Sequence, residues 1–233
     1  MRTAVPLIST SMADLQKSIE HHDGQTDILE LRIDFLKDAD KGKLAKILEQ
    51  PWKSAICVTN RSEEEGGKFL GSEQERVSFL LAAAKAGADY IDIELASGAT
   101  VIKQLLTVKS EKTKLIISYH NFDRTPEYHV LEKVMQRQAD LGADICKIVT
   151  TATSPFDTIT IFKLLEKAHE ERRQLIALCM GEKGRLTRVV SPLLGGYLTF
   201  ASMDMGKESA PGQMTLEQMR TIWKELGIEQ KDK

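Results

Sequence analysis

A single lysine interrupts the apolar run Asp144-Ile145-Cys146-Lys147-Ile148-Val149-Thr150. The run follows a helix-like stretch that stops at Gly142, so it reads as a buried strand. A strand of a parallel sheet is covered on both faces, and an ammonium placed there loses hydration, which favours the neutral amine. Two chemistries fit such a lysine: an ion pair with a core carboxylate, or an amine kept nucleophilic for imine formation with a carbonyl substrate. His120 ends a second apolar run, 115–119. It titrates near neutrality, so it can take a proton and return it. With Lys147 as electron sink and His120 as proton carrier, carbon-acid chemistry needs no metal.

Other reactive side chains stand at similar points. Glu30 and Arg32 close the run 27–32, and Arg61 and Glu65 follow 54–59. Glu94 ends Tyr90–Glu94, Arg188 follows Leu175–Met180, and Ser209 and Gln213 follow 198–201. A lone histidine at a strand end is more often structural than catalytic, but this company favours chemistry. Three arginine forks suit a substrate bearing a carboxylate or hydroxyls. Gly66-Gly67 and the pair Gly206 and Gly212 allow the stretches 60–71 and 204–213 to close over a ligand, although each pair alone would pass for an ordinary turn.

The elements that must hold these groups alternate regularly. Strands are predicted at 4–8, 27–32, 54–59, 90–94, 115–119, 145–149, 175–180 and 198–201. Helices are predicted from Ser11 to about His22, at 44–48, from a Ser72/Glu75 capping box onward, near 101–108, at 126–141, and from Ser154-Pro155-Phe156-Asp157. Val77, Leu80, Leu81 and Ala84 mark one buried stripe; Leu131, Val134, Met135 and Gln138 mark another. Thr215 and Gln218 cap a last helix that runs to Leu226. Eight strand–helix units of about thirty residues imply a parallel sheet with helical crossovers, and favour a single closed (β/α)8 TIM barrel over 1–233. Neither a GxGxxG nor a Walker A loop supports an open doubly wound sheet.

The strands also share a weak repeat. Gly87-Ala88-Asp89-Tyr90-Ile91-Asp92-Ile93-Glu94 resembles Gly142-Ala143-Asp144-Ile145-Cys146-Lys147-Ile148-Val149, and Thr26-Asp27-Ile28-Leu29-Glu30-Leu31-Arg32 follows the same frame, aligned on its aspartate. Glu30, Asp92 and Lys147 then fall in register on strands two, four and six. Arg32 and Glu94 lie one inward step higher. Alternate strands of a barrel contribute to one interior layer, so a charged layer facing Lys147 is predicted.

Bulk properties exclude several classes. A net charge of −2 gives no reason to expect nucleic acid or an anionic membrane as partner. Cys57, Cys146 and Cys179 show no metal-ligand spacing and no disulfide framework. The N-terminus has no long apolar segment, which argues against a signal peptide or membrane span and for a cytoplasmic chain. In such a chain the triplet Asn60-Arg61-Ser62 never meets the glycosylation machinery. The polar tail 229–233 reads as frayed.

These residues resemble the type I 3-dehydroquinate dehydratases. Glu30-Leu31-Arg32-Ile33-Asp34, Arg61-Ser62 with Glu65-Gly66-Gly67, Ser118-Tyr119-His120-Asn121-Phe122, Lys147, Met180-Gly181 through Arg188, and Ser209-Ala210-Pro211-Gly212-Gln213 match the family's segments in order. The resemblance implies a cofactor-free, metal-independent lyase of the shikimate pathway, acting on 3-dehydroquinate by syn elimination through a Schiff base on Lys147. It implies that His120 moves the proton, Glu65 tunes His120, Arg188 holds the substrate carboxylate, and Glu30, Arg32 and Arg61 contact hydroxyls. Ser209 and Gln213 would reach in from the closing loop, and Arg32 could be partly tied to an acid. Of the three consecutive glutamates, only the position before Gly66-Gly67 selects Glu65. The family often dimerises. Many relatives carry an N-terminal hairpin under the barrel, whereas this chain starts close to strand one, which puts the stability of the floor in question. No shikimate dehydrogenase domain follows, as expected of a monofunctional enzyme. Two rival readings are a lysine-imine aldolase, which would need a phosphate site after strands seven and eight, and a non-catalytic barrel with Lys147 locked to Glu94 or Asp92.

Overall fold

The computed structural model describes residues 1–206 and 209–228. Lys207 and Glu208 of the predicted closing loop lie outside the described residues, as does the tail 229–233. The strands are β1 (Thr3–Leu7), β2 (Ile28–Arg32), β3 (Ala55–Thr59), β4 (Tyr90–Glu94), β5 (Lys114–Asn121), β6 (Ile145–Thr151), β7 (Leu175–Met180) and β8 (Thr199–Phe200). All pair in parallel in the order β7-β6-β5-β4-β3-β2-β1-β8. The helices are α1 (Met12–His22), α2 (Lys41–Leu48), α3 (Glu73–Lys85), α4 (Gly98–Val108), α5 (Tyr128–Asp140), α6 (Asp157–Glu170), α7 (Arg185–Val190) and α8 (Leu216–Glu225). The result is the predicted (β/α)8 barrel, nearly closed. No ladder joins β7 to β8; the Tyr197 N–H donates to the Leu175 carbonyl at 2.8 Å, and Thr199 Oγ1 donates to the Arg188 carbonyl at 2.8 Å. No helix among the described residues is long and apolar enough to cross a membrane.

Side-chain alternation sorts the core into two shells. Ala4, Ile28, Cys57, Ile116, Ile145 and Ile176 fill the barrel's lower interior, and their neighbours along each strand, such as Leu29, Val58, Ile91, Ile117, Ile148 and Ala177, point out under the helices. The base is stopped by aromatic hydroxyls. Tyr90 and Tyr197 share a hydrogen bond at 2.9 Å, and the Arg2 guanidinium lies 4.6 Å from the Tyr197 ring centre.

Some local expectations fail for identifiable reasons. The run at 198–201 forms only a two-residue strand, while β6 extends to Thr151. The six-residue α7 carries no long apolar period, and no helix is predicted from sequence there. Ser154 does not cap α6. The Asp157 carboxylate accepts from the Thr153 and Ser154 N–H groups instead, and this charged acceptor builds a turn that delays the helix to Asp157. Likewise α5 begins at Tyr128, past Pro126. At α3 the Ser72 hydroxyl accepts from the Glu75 N–H, and no return bond from the Glu75 side chain is found, whereas Thr215 and Gln218 complete the full box. Leu81 and Val134 are half-buried rather than core; the buried place next to Leu80 goes to Ala83.

Candidate active site

The predicted charged layer exists. Lys147 Nζ donates to Asp92 Oδ2 at 2.7 Å and lies 3.9 Å from Glu30 Oε1. Arg61 takes the other Asp92 oxygen, Oδ1, at 2.8 Å, and Ser118 Oγ donates to that same oxygen at 2.7 Å. Thr59 Oγ1 donates to Glu30 Oε1. Burial alone would raise the Asp92 carboxyl, but Arg61, Lys147 and His120 hold it well below the usual carboxylate range. Asp92 is therefore a fixed anion and not a proton acceptor. The Phe200 ring lies 4.6 Å from Lys147 Nζ and covers it.

His120 stands one inward step above Lys147 across the ladder. Ser118 is opposite Lys147 and His120 opposite Val149, so alternation aims both His120 and Lys147 inward. His120 Nδ1 meets Glu65 Oε2 at 2.7 Å. Burial, and then the cations Arg61 and Lys147, disfavour the imidazolium, so His120 stays neutral well below its usual range. Burial pushes the Glu65 carboxyl up to about 7 against the pull of Arg61, with Glu94 and Asp92 adding to the rise. A proton shared by the pair therefore rests on Glu65.

This sets a pH dependence. Ionised Glu65 accepts the Nδ1–H and leaves the Nε2 lone pair free as a base. Protonated Glu65 donates to Nδ1 and puts the ring hydrogen on Nε2, which removes that base. Any turnover that uses His120 as base should therefore rise with pH through about 7. The kcat/KM profile of the free enzyme checks this, and a flat profile from pH 5.5 to 8.5 would contradict it.

The loop carrying Glu65 is a 3-10 turn, Glu63–Glu65, held by backbone contacts to Ser62. Gly67 is obligatory there: a Cβ would sit 1.9 Å from the Arg61 carbonyl oxygen. At the other rim, Gly212 has φ +78° and its backbone packs on Gly181, whose N–H donates to the Pro211 carbonyl. Ala210 and Pro211 border the cavity mouth, and the Ser209 N–H and Gln213 Oε1 join at 2.7 Å, so these described residues fold over the opening.

The arginines differ. Arg32 is bound by both oxygens of Asp34, the acid tie foreseen from sequence. Arg61 is engaged with Asp92, Glu94 and Ser118. Arg188 is 2 % exposed and has no ion pair among the described residues; its NH2 reaches the Pro211 carbonyl at 3.3 Å and its Nε has no partner. Burial lowers this guanidinium to about 10. A buried, uncompensated fork at a cavity wall is built to receive an anion.

Nine of the ten reactive residues singled out from sequence border one cavity at the carboxyl ends of the strands: Lys147, His120, Glu65, Glu30, Arg32, Arg61, Arg188, Ser209 and Gln213; the tenth, Glu94, is not in its lining and pairs with Arg61 and Arg76 instead. Counted with its open mouth, the space is roughly 620 Å3. Sequence reasoning missed the apolar wall of Val149, Leu178, Met180 and Phe200, and the Phe122 ring stacked 6.2 Å from His120. It also gave no role to Ser118, although a place two residues before His120 already marks it as inward-facing.

Comparison with known proteins agrees with this geometry. A family model described as type I 3-dehydroquinase matches residues 3–230. A 3-dehydroquinate dehydratase of Desulfotalea psychrophila is 38% identical over 198 residues, 84% of this chain and 86% of the relative. One from Methanocaldococcus jannaschii is 34% identical over 227 residues, 96% and 98% of the two chains. The crystal structure of 3-dehydroquinate dehydratase from Geobacillus kaustophilus superposes with a TM-score of 0.86 at 29% identity, covering 97% of this chain and 91% of that one.

Proposed function

This chain belongs to the type I 3-dehydroquinase family, and on that footing we propose that it dehydrates 3-dehydroquinate to 3-dehydroshikimate through an imine on Lys147. The observation that carries the reading is the placement of Lys147 beneath the His120–Glu65 dyad, on neighbouring strands, in one cavity. Neutral Lys147 attacks the ketone carbon, and loss of water gives an iminium. His120 then takes the proton from the carbon beside it, and the C–H electrons move into the iminium to form an enamine. The enamine expels the ring hydroxyl, which leaves as water with the proton that His120 returns. Hydrolysis of the imine frees the conjugated enone and Lys147. Asp92 balances the cation at both ends of the cycle.

In this reading Arg188 binds the substrate carboxylate, with Ser209 and Gln213 closing from the loop. Glu30 and Arg32 meet the hydroxyls. Arg61, already bound to Asp92 and Glu94, contributes chiefly its charge. Borohydride added with 3-dehydroquinate should reduce the imine and add mass to Lys147. No adduct on a protein that turns over would end the imine reading. Enone absorbance growing in the presence of a chelator would establish the activity itself.

Arg188 gives a further expectation. Arg188→Met should raise KM about a hundredfold, the size of one or two charge-assisted hydrogen bonds. The same change should leave the thermal midpoint of the free protein equal or higher, because it removes an uncompensated buried charge. Steady-state kinetics and calorimetry read both. A lower midpoint with unchanged KM would mean that the fork is structural.

A further inference from the structure

We propose that Arg76, on α3 and outside the cavity, is a positioning residue for the His120–Glu65 dyad, acting through Glu94. The inference deepens the reading of His120 as proton carrier and rests on it. Arg76 is 2 % exposed, an unusual depth for a helix arginine. Its NH1 donates to Glu94 Oε2 at 2.6 Å and to the Asn60 carbonyl at 2.6 Å. Its Nε and NH2 hold Glu73 at 2.7 and 2.8 Å, and NH2 also donates to Ser97 Oγ at 2.7 Å. In return, Asn60 Nδ2 donates to the Arg76 carbonyl. One fork thus ties the end of β3, the end of β4 and the start of α3.

Glu94 carries the effect into the site. Its Oε1 accepts the Ser62 N–H at 3.0 Å and pairs with Arg61 at 3.1 Å. The Ser62 carbonyl in turn accepts the N–H groups of Glu65 and Gly67. The chain Arg76–Glu94–Ser62–Glu65 therefore fixes where the dyad's carboxylate sits. It also sets its charge environment. The groups facing Glu65 are Arg61 from the end of β3, Asp92 and Glu94 from β4 and His120 from β5. Arg61 is shared between the two β4 carboxylates, so Arg76 supplies the second positive partner of Glu94. Without it, more of the Glu94 charge reaches Glu65 and favours the protonated dyad, whose ring hydrogen is on the wrong nitrogen.

The test follows the dyad directly, by the pH dependence of the His120 ring 15N signals in the substrate-free protein, alongside kcat against pH. In Arg76→Met the midpoint should rise by about one pH unit, the effect of uncovering a nearby like charge. At pH 6 kcat should then fall about tenfold, at pH 9 by no more than about twofold, with KM changed less than about twofold. Arg76→Lys should move the midpoint by about half as much, since one ammonium cannot span Glu94 and Glu73 as the fork does. Glu94→Gln should lower it. The fork borders a second cavity, roughly 1020 Å3 with its mouth, between the Ser62–Gly71 stretch and Ser97, so a thioether has room there. An unmoved midpoint in Arg76→Met would overturn the proposal, whatever the loss of rate or stability; if that variant does not fold, an unmoved midpoint in Arg76→Lys does so. A normal dyad titration in wild type with no turnover of 3-dehydroquinate would instead sink the functional reading and leave the role of Arg76 to be decided by the ring signals.

Discussion

Lys147→Ala is expected to lose about four to six orders of magnitude in turnover of 3-dehydroquinate, the scale seen when a covalent nucleophile is deleted. Among the described residues that line the cavity, Lys147 alone carries a primary amine; the other nitrogens are guanidinium, imidazole and amide groups. The barrel should survive the change. Asp92 keeps Arg61 at 2.8 Å and the Ser118 hydroxyl at 2.7 Å, so its charge is not stranded. Breaking a buried ion pair costs about 3–5 kcal/mol, and these remaining partners place the loss toward the lower end. Enone absorbance reads the rate, and denaturant unfolding reads the stability. Turnover within about a hundredfold of wild type would remove Lys147 from the chemistry.

His120→Ala separates the first half of the reaction from the second. Loss of a general acid–base costs about 10²–10⁴ in rate. In the proposed cycle His120 serves both the proton abstraction and the departure of the hydroxyl, so the loss should sit at the upper end of that range. The imine itself is still expected to form, since Lys147 and its anchor Asp92 are untouched. Borohydride quenching should then trap more substrate on Lys147 than in wild type, as the intermediate accumulates. Mass spectrometry of the quenched protein measures this. Normal turnover in the variant would take the proton-carrier role from His120.

The site was more legible than the elements around it. Strand ends carry reactive residues in this architecture, and alternation gives the direction of each side chain, so a repeat aligned on Asp27, Asp89 and Asp144 places Glu30, Asp92 and Lys147 in one layer from the sequence alone. What stayed hidden depends on partners distant in sequence. That Lys147 chooses Asp92 over Glu30 is settled by 2.7 against 3.9 Å, a difference no spacing rule contains. Arg76 shows no more than a helix position in sequence, and its bonds to Glu94 and Asn60 arise only when α3 is packed on the barrel. Short elements were lost for the same reason: α7 is six residues long, and local propensity cannot nucleate a helix of that size without tertiary contacts. The apolar wall of Val149, Leu178 and Met180 reads from sequence as ordinary core, because nothing in a strand says which of its inward residues stand above the filled layers.

The missing ladder between β7 and β8 gives the cylinder a slit along one side, crossed by the Tyr197 amide and the Thr199 hydroxyl. Arg188 stands on the α7 bank of that slit, while Ser209 and Gln213 stand on the bank beyond β8. The Pro211 carbonyl already joins the banks, taking the Gly181 N–H at 3.0 Å and the Arg188 NH2 at 3.3 Å, so a molecule that met all three side chains would add a second lacing to a seam the strands leave unsewn.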